Sequence, residues 1–255
     1  MKNPENRLKR ALAEGRMQLG IWHTFGGSVN AELLASVGYD WVLLDTEHAA
    51  VEVSEMLACL QGIAAWPETS PVVRVSDNDT ALIKRHLDQG AQSIMVPNVR
   101  SVDEARRAVA AMHYGPRGVR GAAGLTRATR FGTVDDYATT ASNELCLIVQ
   151  IESPEGLAAL DEIAALDGVD ALFIGPADLS AAMGYPGNLG AAPVHAAILD
   201  AIARAKSAGI PIGILTLDDA FRAECVAAGV TLNAVGVDMA LLIDGAQALL
   251  ARERG

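Results

Sequence analysis

In the stretch WVLLDTEHA, Trp41 to Ala49, an apolar run leads directly into Asp45, Glu47 and His48. An imidazole such as that of His48 titrates near neutrality, so it can both take and give a proton. Three more polar groups end apolar runs further along: Arg74 in PVVRV, Gln150 with Glu152 in LCLIVQIE, and Asp178 just after ALFIG in IGPADLS. Two carboxylates, Glu152 and Asp178, suit a hard divalent cation such as Mg²⁺ or Mn²⁺, with water and substrate in the remaining positions. A guanidinium inside an apolar strand needs an anionic partner, which makes a purely structural Arg74 the harder reading. Each of the others has a bland alternative. Glu152 precedes Ser153 and Pro154, an N-cap and first-turn pair, and could simply favour a helix dipole. Asp178 could open a helix, and His48 could be a loop histidine with its bonds satisfied.

Other chemistries lack their residues. Beyond the N-terminal segment only Lys84 and Lys206 remain, both in amphipathic helical stretches, so a Schiff-base lysine is not offered. No His-x-x-x-His pair or cysteine cluster could close a structural zinc site, and the phosphate-loop and dinucleotide fingerprints are absent. Cys59, Cys146 and Cys225 are widely spaced within apolar segments and read as buried small hydrophobes in a reducing cytoplasm.

The elements that must carry these groups are short apolar runs alternating with helical patterns: QLGIW, WVLLD, PVVRV, SIMVP, LCLIVQIE, ALFIG, IPIGIL and LNAVGV. Continuous rather than alternating apolar character means strands covered on both faces, as in a parallel sheet. Eight strand–helix units in 255 residues predict the α/β class, and within it one closed (β/α)₈ TIM barrel over 1–255 as a single domain. NRLKRALAEG adds an extra N-terminal helix stopped at Gly15. In such a barrel all strand C-termini meet on one face, which would make Asp45, Arg74, Glu152 and Asp178 neighbours. The longest irregular piece, HYGPRGVRGAAGLTRATRFG, is expected to be functional because long loops in compact domains usually are.

The net charge of −11 leaves no basic stripe, so no nucleic acid and no anionic membrane is expected as a partner. No apolar run reaches the ~18 residues of a membrane span, and the basic start has no apolar region behind it, which points to the cytoplasm.

WVLLDTEHA, VVRV, QIESPEG and FIGPADLSAAMGYPGN resemble the HpcH/HpaI aldolase family, the metal-dependent class II pyruvate aldolases. LIKRHLDQGAQSIMVPNV, GPRGVRGAAGLTRATRFG and AVGVDMALL extend the likeness over most of the chain in order. The resemblance implies a barrel that cleaves 4-hydroxy-2-oxo acids, such as 4-hydroxy-2-oxoheptanedioate or 2-keto-3-deoxy sugar acids, to pyruvate and an aldehyde. It implies Glu152 and Asp178 as ligands of Mg²⁺, Mn²⁺ or Co²⁺, and His48 as the acid/base or the group orienting a metal-bound water. It places Arg74 beside the pyruvate oxygens, Gln150 as a polar group toward the substrate, and the backbone of Ala177 and Asp178 at the pyruvate carboxylate. Asp45 and Asp88 would hold or tune the histidine, Asp88 from its own or a neighbouring chain.

Trp22 and His23 would line the substrate pocket. The loop they open, WHTFGGSVNAELL, departs from many relatives at His23, Thr24 and Phe25, which bears on the aldehyde preference and makes His23 a second acid/base candidate. His86, His113 and His195 fall in helical stretches and are expected at the surface. The family's assembly implies a homo-oligomer, with a hexamer expected, and DMALLIDGAQALLARER places Leu242, Ala246, Leu249 and Leu250 along one stripe for such a contact. Two other readings stand beside this one: a citrate-lyase-like or malyl-thioester lyase of the same superfamily, and a non-catalytic binding barrel.

Overall fold

A computed structural model describes residues 1–255. Eight parallel strands pair in sequence order and close on themselves, the eighth bonding back to the first. They are β1 Gln18–His23, β2 Trp41–Asp45, β3 Ser70–Arg74, β4 Ser93–Val96, β5 Cys146–Ile151, β6 Ala171–Ile174, β7 Ile212–Leu215 and β8 Leu232–Val237. Around them run α1 Arg7–Ala13, α2 Ser28–Val37, α3 Val53–Ile63, α4 Thr80–Asp88, α5 Val102–Met112, α6 Tyr137–Thr140, α7 Pro154–Ala164, α8 Pro176–Ala182, α9 Ala192–Ala208, α10 Asp219–Ala228 and α11 Asp238–Arg254. The closed barrel follows from strands apolar on both faces, since only closure gives each strand two neighbours and two covered sides.

Strand alternation sorts the core into two layers. Trp22, Trp41, Leu43, Val72, Met95, Ile148, Phe173 and Ala234 point inward and fill the barrel. Ile21, Val42, Leu44, Val73, Ile94, Val149 and Ile174 point outward, under the helices. Trp22, Trp41 and Phe173 form an inner aromatic cluster with ring centroids 5.3–6.3 Å apart. Gly20 makes this possible, because a Cβ there would sit 2.0 Å from the Trp41 ring. Leu8 and Leu12 of α1 join the inner layer and plug the bottom, so the extra N-terminal helix is part of the core.

The expectation of surface histidines is corrected for two of the three. His86 is buried because it shares the inner stripe of α4 with Ile83 and Leu87 at helical spacing. His113 is buried with Nδ1 3.0 Å from Ser142 Oγ. Burial, reinforced by nearby Arg85 for His86 and by Arg117 and Lys9 for His113, lowers both to about 4 and keeps them neutral. His195 is half-buried and stacks on Phe221 at 3.5 Å. The three cysteines are buried and unpaired. α11 buries none of its residues; Leu242, Leu249 and Leu250 lie about half exposed along it. No helix is long and apolar enough to cross a membrane.

Candidate active site at the C-terminal ends of the strands

The strand ends bring Asp45, Arg74, Gln150 and Glu152 together for a reason the register makes explicit. Asp45 pairs with Arg74 across β2 and β3, and Leu43 with Val72, so all four share the inward face. Arg74 Nε and Nη2 reach Asp45 Oδ1 and Oδ2 at 2.9 and 2.5 Å, a bidentate pair, and Asp45 has no exposed side-chain surface. The Arg74 guanidinium carbon lies 5.3 Å from the centroid of the Trp22 ring, which sets Trp22 beneath Arg74.

Glu152 follows β5 and is buried. Its Oε1 accepts from the Asn98 N–H at 2.8 Å and its Oε2 from Gln150 Nε2 at 3.1 Å. Gly175 leaves the space it fills: a Cβ there would lie 2.1 Å from Glu152 Oε2. Ser153 caps α7 through the Gly156 N–H at 3.1 Å, with Pro154 in the first turn, so the bland capping reading of this stretch belongs to Ser153 and leaves Glu152 free for the site. Asp178 sits in the first turn of α8, half exposed, with Oδ2 4.0 Å from His48 Nε2. Ala177 is beside it in the same turn, where backbone N–H groups lack intrahelical partners.

Two residues enter that the sequence reading did not assign. Glu47 Oε2 lies 2.8 Å from Arg74 Nη1 and 3.9 Å from His48 Nε2. That oxygen is off the N–H axis and has no hydrogen bond, so its contact with Arg74 is coulombic. Asn98 stands at φ 53°, a left-handed conformation that Asn tolerates better than most residues, and this aims its N–H at Glu152. The dipeptide Pro97-Asn98 just past a strand was the available signal for a turn there.

Three expectations change. Asp45 does not hold the His48 ring: its carboxylate is taken by Arg74 and by the backbone N–H groups of Glu47 and His48, at 2.9 and 3.4 Å. Asp88 ends α4 just before β4 begins, at the opposite end of the barrel from His48, where Arg120 Nη2 holds it at 2.9 Å. Within one chain it cannot tune His48. The long irregular segment follows α5 and lies at that same opposite end; it supplies Arg120.

His23 is the third correction. Trp22 pairs with inward Leu43 and His23 with outward Leu44, so alternation turns His23 away from the barrel interior. It is buried against Asp238, the first residue of α11, with Nδ1 2.7 Å from Asp238 Oδ2. It lines no open part of the mouth, and its enclosed Nε2 cannot meet a substrate.

The electrostatics are unbalanced. Burial first, then the charges of Glu47 and Asp178, raise the Glu152 carboxyl to about 7 against the Asn98 bond and the pull of Arg74. Glu47 is also raised, chiefly by burial, with Arg74 and His48 opposing. No lysine or arginine forms an ion pair with Glu152 or Asp178, and Gln150 Oε1 is buried without a partner. No three His, Cys, Asp or Glu side chains close a cage. The donor set therefore fits a cation resting on two carboxylates with its other positions open. Such a site, beside an imidazole and a fixed guanidinium, suits proton transfer and anion stabilisation next to a carbonyl.

The chain is similar to known proteins over nearly its whole length. The family described as HpcH/HpaI aldolase/citrate lyase matches residues 18–245. A pyruvate aldolase of Rhizobium etli is 52% identical over 99% of each chain. A 4-hydroxy-2-oxo-heptane-1,7-dioate aldolase of Salmonella dublin is 47% identical over 97% of this chain and 94% of its own. The crystal structure of an HpcH/HpaI aldolase/citrate lyase family protein from Burkholderia cenocepacia superimposes with a TM-score of 0.95 at 37% identity, covering 98% of this chain and all of that one.

Proposed function

The chain belongs to the HpcH/HpaI aldolase/citrate lyase family, and on that premise we propose that it cleaves 4-hydroxy-2-oxo acids reversibly to pyruvate and an aldehyde. The observation that carries this reading is the buried Glu152, held with Asp178 at a mouth where Arg74 is committed to Asp45 and no side-chain cation answers the other two carboxylates.

Glu152 and Asp178 would hold a divalent cation, Mg²⁺, Mn²⁺ or Co²⁺, which supplies a Lewis acid for the keto group of the oxo acid. Arg74, fixed by Asp45, offers positive charge to the oxyanion that develops at the keto oxygen as the bond breaks. Glu47 adds negative charge beside both, 2.8 Å from Arg74 and 3.9 Å from His48. His48, directly or through a water, takes the proton of the 4-hydroxyl. The C3–C4 bond breaks, its electron pair moves into the pyruvate enolate, and the aldehyde leaves. The same imidazole then returns the proton to C3, which restores its starting state. Gln150 Oε1 is a free acceptor in the site, and the first-turn N–H groups at Ala177 and Asp178 suit the pyruvate carboxylate.

Assembly follows from the same reading. For Asp88 to reach a His48, that histidine must belong to another copy, since the two stand at opposite ends of one barrel. The uncovered apolar residues of α11 suit a contact between copies, and a hexamer is the assembly the family likeness favours. Three unpaired buried cysteines suit a reducing cytoplasm.

Exchange of the pyruvate methyl protons in D₂O, followed by NMR, tests the half-reaction without any aldehyde. Exchange should require added Mg²⁺ or Mn²⁺, stop in EDTA, vanish in Glu152→Ala, and fall ~10²–10⁴-fold in His48→Ala. Full exchange in excess EDTA, together with trapping of pyruvate by borohydride, would show a Schiff-base enzyme instead.

A further inference from the structure

The polar group with the most partners near the barrel mouth is neither a predicted ligand nor a predicted base. Asp238 closes the seam between the last strand and the first. Its Oδ2 meets His23 Nδ1 at 2.7 Å and the Phe25 N–H at 3.1 Å. Its Oδ1 accepts from the Thr24 N–H at 3.0 Å, Thr24 Oγ1 at 2.8 Å and its neighbour Met239 N–H at 2.8 Å. Burial alone would raise this carboxyl, but the bonds from His23, Thr24 and Phe25 outweigh it and hold the group well below the ordinary carboxylate range. An ionised carboxylate can only accept, so His23 donates its Nδ1–H to Asp238. Its Nε2 is enclosed and unpartnered. His23 is therefore a donor clamped to one oxygen.

The carboxylate holds a short loop whose other side-chain tie is Asn30 Nδ2, which donates to the Gly26 carbonyl at 3.1 Å. After Phe25 come Gly26 and Gly27 at φ 78° and 83°, conformations that glycine adopts freely and that give the loop no rigidity of its own. Gly26 lies against Val51, where a Cβ would be 3.1 Å from Cγ2. Val51 belongs to the loop that carries His48. The first loop leaves β1 just after Trp22, which lies under Arg74, and packs on the loop that carries His48. A carbonyl partner that meets the carbon His48 protonates would pass beside these two loops.

We infer that Asp238, with His23 as its clamp, is a positioning residue that sets the β1–α2 loop as the wall of the aldehyde half-site and so governs which aldehydes are accepted. This inference rests on the pyruvate-aldolase reading. It assigns the departure at His23, Thr24 and Phe25 to a latch on the outer side of β1, and no substrate contact by His23 is involved.

The test is a comparison of Asp238→Asn, His23→Leu and His23→Asn with the parent enzyme loaded with Mg²⁺. Addition of pyruvate to acetaldehyde and to glyceraldehyde is measured beside pyruvate proton exchange. Asn at 23 carries an amide N–H near the place of Nδ1, whereas Leu carries none. In Asp238→Asn and His23→Leu the aldehyde KM should rise on the order of tenfold, and the ratio between the two aldehydes should change, while proton exchange stays within about twofold. His23→Asn should restore most of the parent KM. If exchange and addition fall by the same factor, or if Asn at 23 is no better than Leu, Asp238 is only a structural support and the inference is overturned. If Asp238→Asn does not fold, the two His23 variants carry the same comparison. Amide hydrogen exchange over residues 24–27 reads the latch without any reaction. Lost protection in His23→Leu supports it, and unchanged protection overturns it. Failure of the parent enzyme to exchange pyruvate protons would remove the aldolase reading and leave the amide result to decide the latch.

Discussion

The two halves of the barrel mouth hold their charges in opposite ways. On the β2–β3 side, Asp45 and Arg74 neutralise each other through two short bonds, and the pair is almost wholly buried. On the β5–β6 side, Glu152 is just as enclosed, yet its only partners are an amide side chain and one backbone N–H, and its carboxyl is raised to about 7. A buried ion pair that is complete can be tolerated, whereas a buried carboxylate without a counter-charge shifts its pKa. The contrast separates a carboxylate whose charge is answered from one that has no counter-charge.

Breaking the paired side should have the largest effect on stability. Arg74→Met leaves Asp45 buried and uncompensated, and removal of one partner of such a pair costs ~3–5 kcal/mol. Urea unfolding of the metal-free protein near pH 7.5 measures it. A loss below ~1 kcal/mol, the level of an exposed pair, would mean that water reaches Asp45 and that the two sides are not so different.

The unpaired side should respond with the opposite sign. Glu152 titrates near 4.5 when unfolded and near 7 when folded. Below pH ~4.5 the group is protonated in both states and has no effect. As pH rises, the unfolded chain releases its proton first, so stability falls until pH ~7 and is level beyond. The shift corresponds to on the order of 3 kcal/mol. Glu152→Gln should therefore be more stable than the parent at pH 8 in EDTA and equal to it at pH 4.5. Added Mg²⁺ should remove that difference by stabilising the parent alone, by ~2.7 kcal/mol at one hundred times its dissociation constant. Equal pH slopes for the two proteins would contradict an uncompensated Glu152.

The smallest expected effect lies in the support of that carboxylate. Asn98→Ala must hold an alanine at φ 53°, at a cost of about 1–2 kcal/mol, while Asn98→Gly should be nearly neutral. Both keep the N–H that Glu152 accepts, so cation affinity should follow backbone order: weaker in Ala than in Gly. Calorimetric titration with Mn²⁺ checks this ranking, and a reversed order would place the support elsewhere.

Much of this was legible without coordinates because strand periodicity and strand ends are local properties. Apolar runs that end in or lead to Asp45, Arg74, Glu152 and Asp178 determined which residues could share a face, and β2, β3, β5 and β6 carry them there. The aromatic filling of the interior by Trp22, Trp41 and Phe173 and the plugging role of α1 depended on which side chains met, and no local pattern states that.

The sequence by itself determined the barrel, the face and most of the polar groups on it, since each follows from period-two burial and from where a run stops. Only the tertiary structure decided the partners. It gave Asp45 to Arg74 and not to His48, set Asp88 at the far end, and brought Glu47 and Asn98 in. It also joined His23 to a residue at the other end of the chain. A side chain's neighbours depend on the direction a strand turns it and on which loop arrives beside it, and both are set only when the barrel closes.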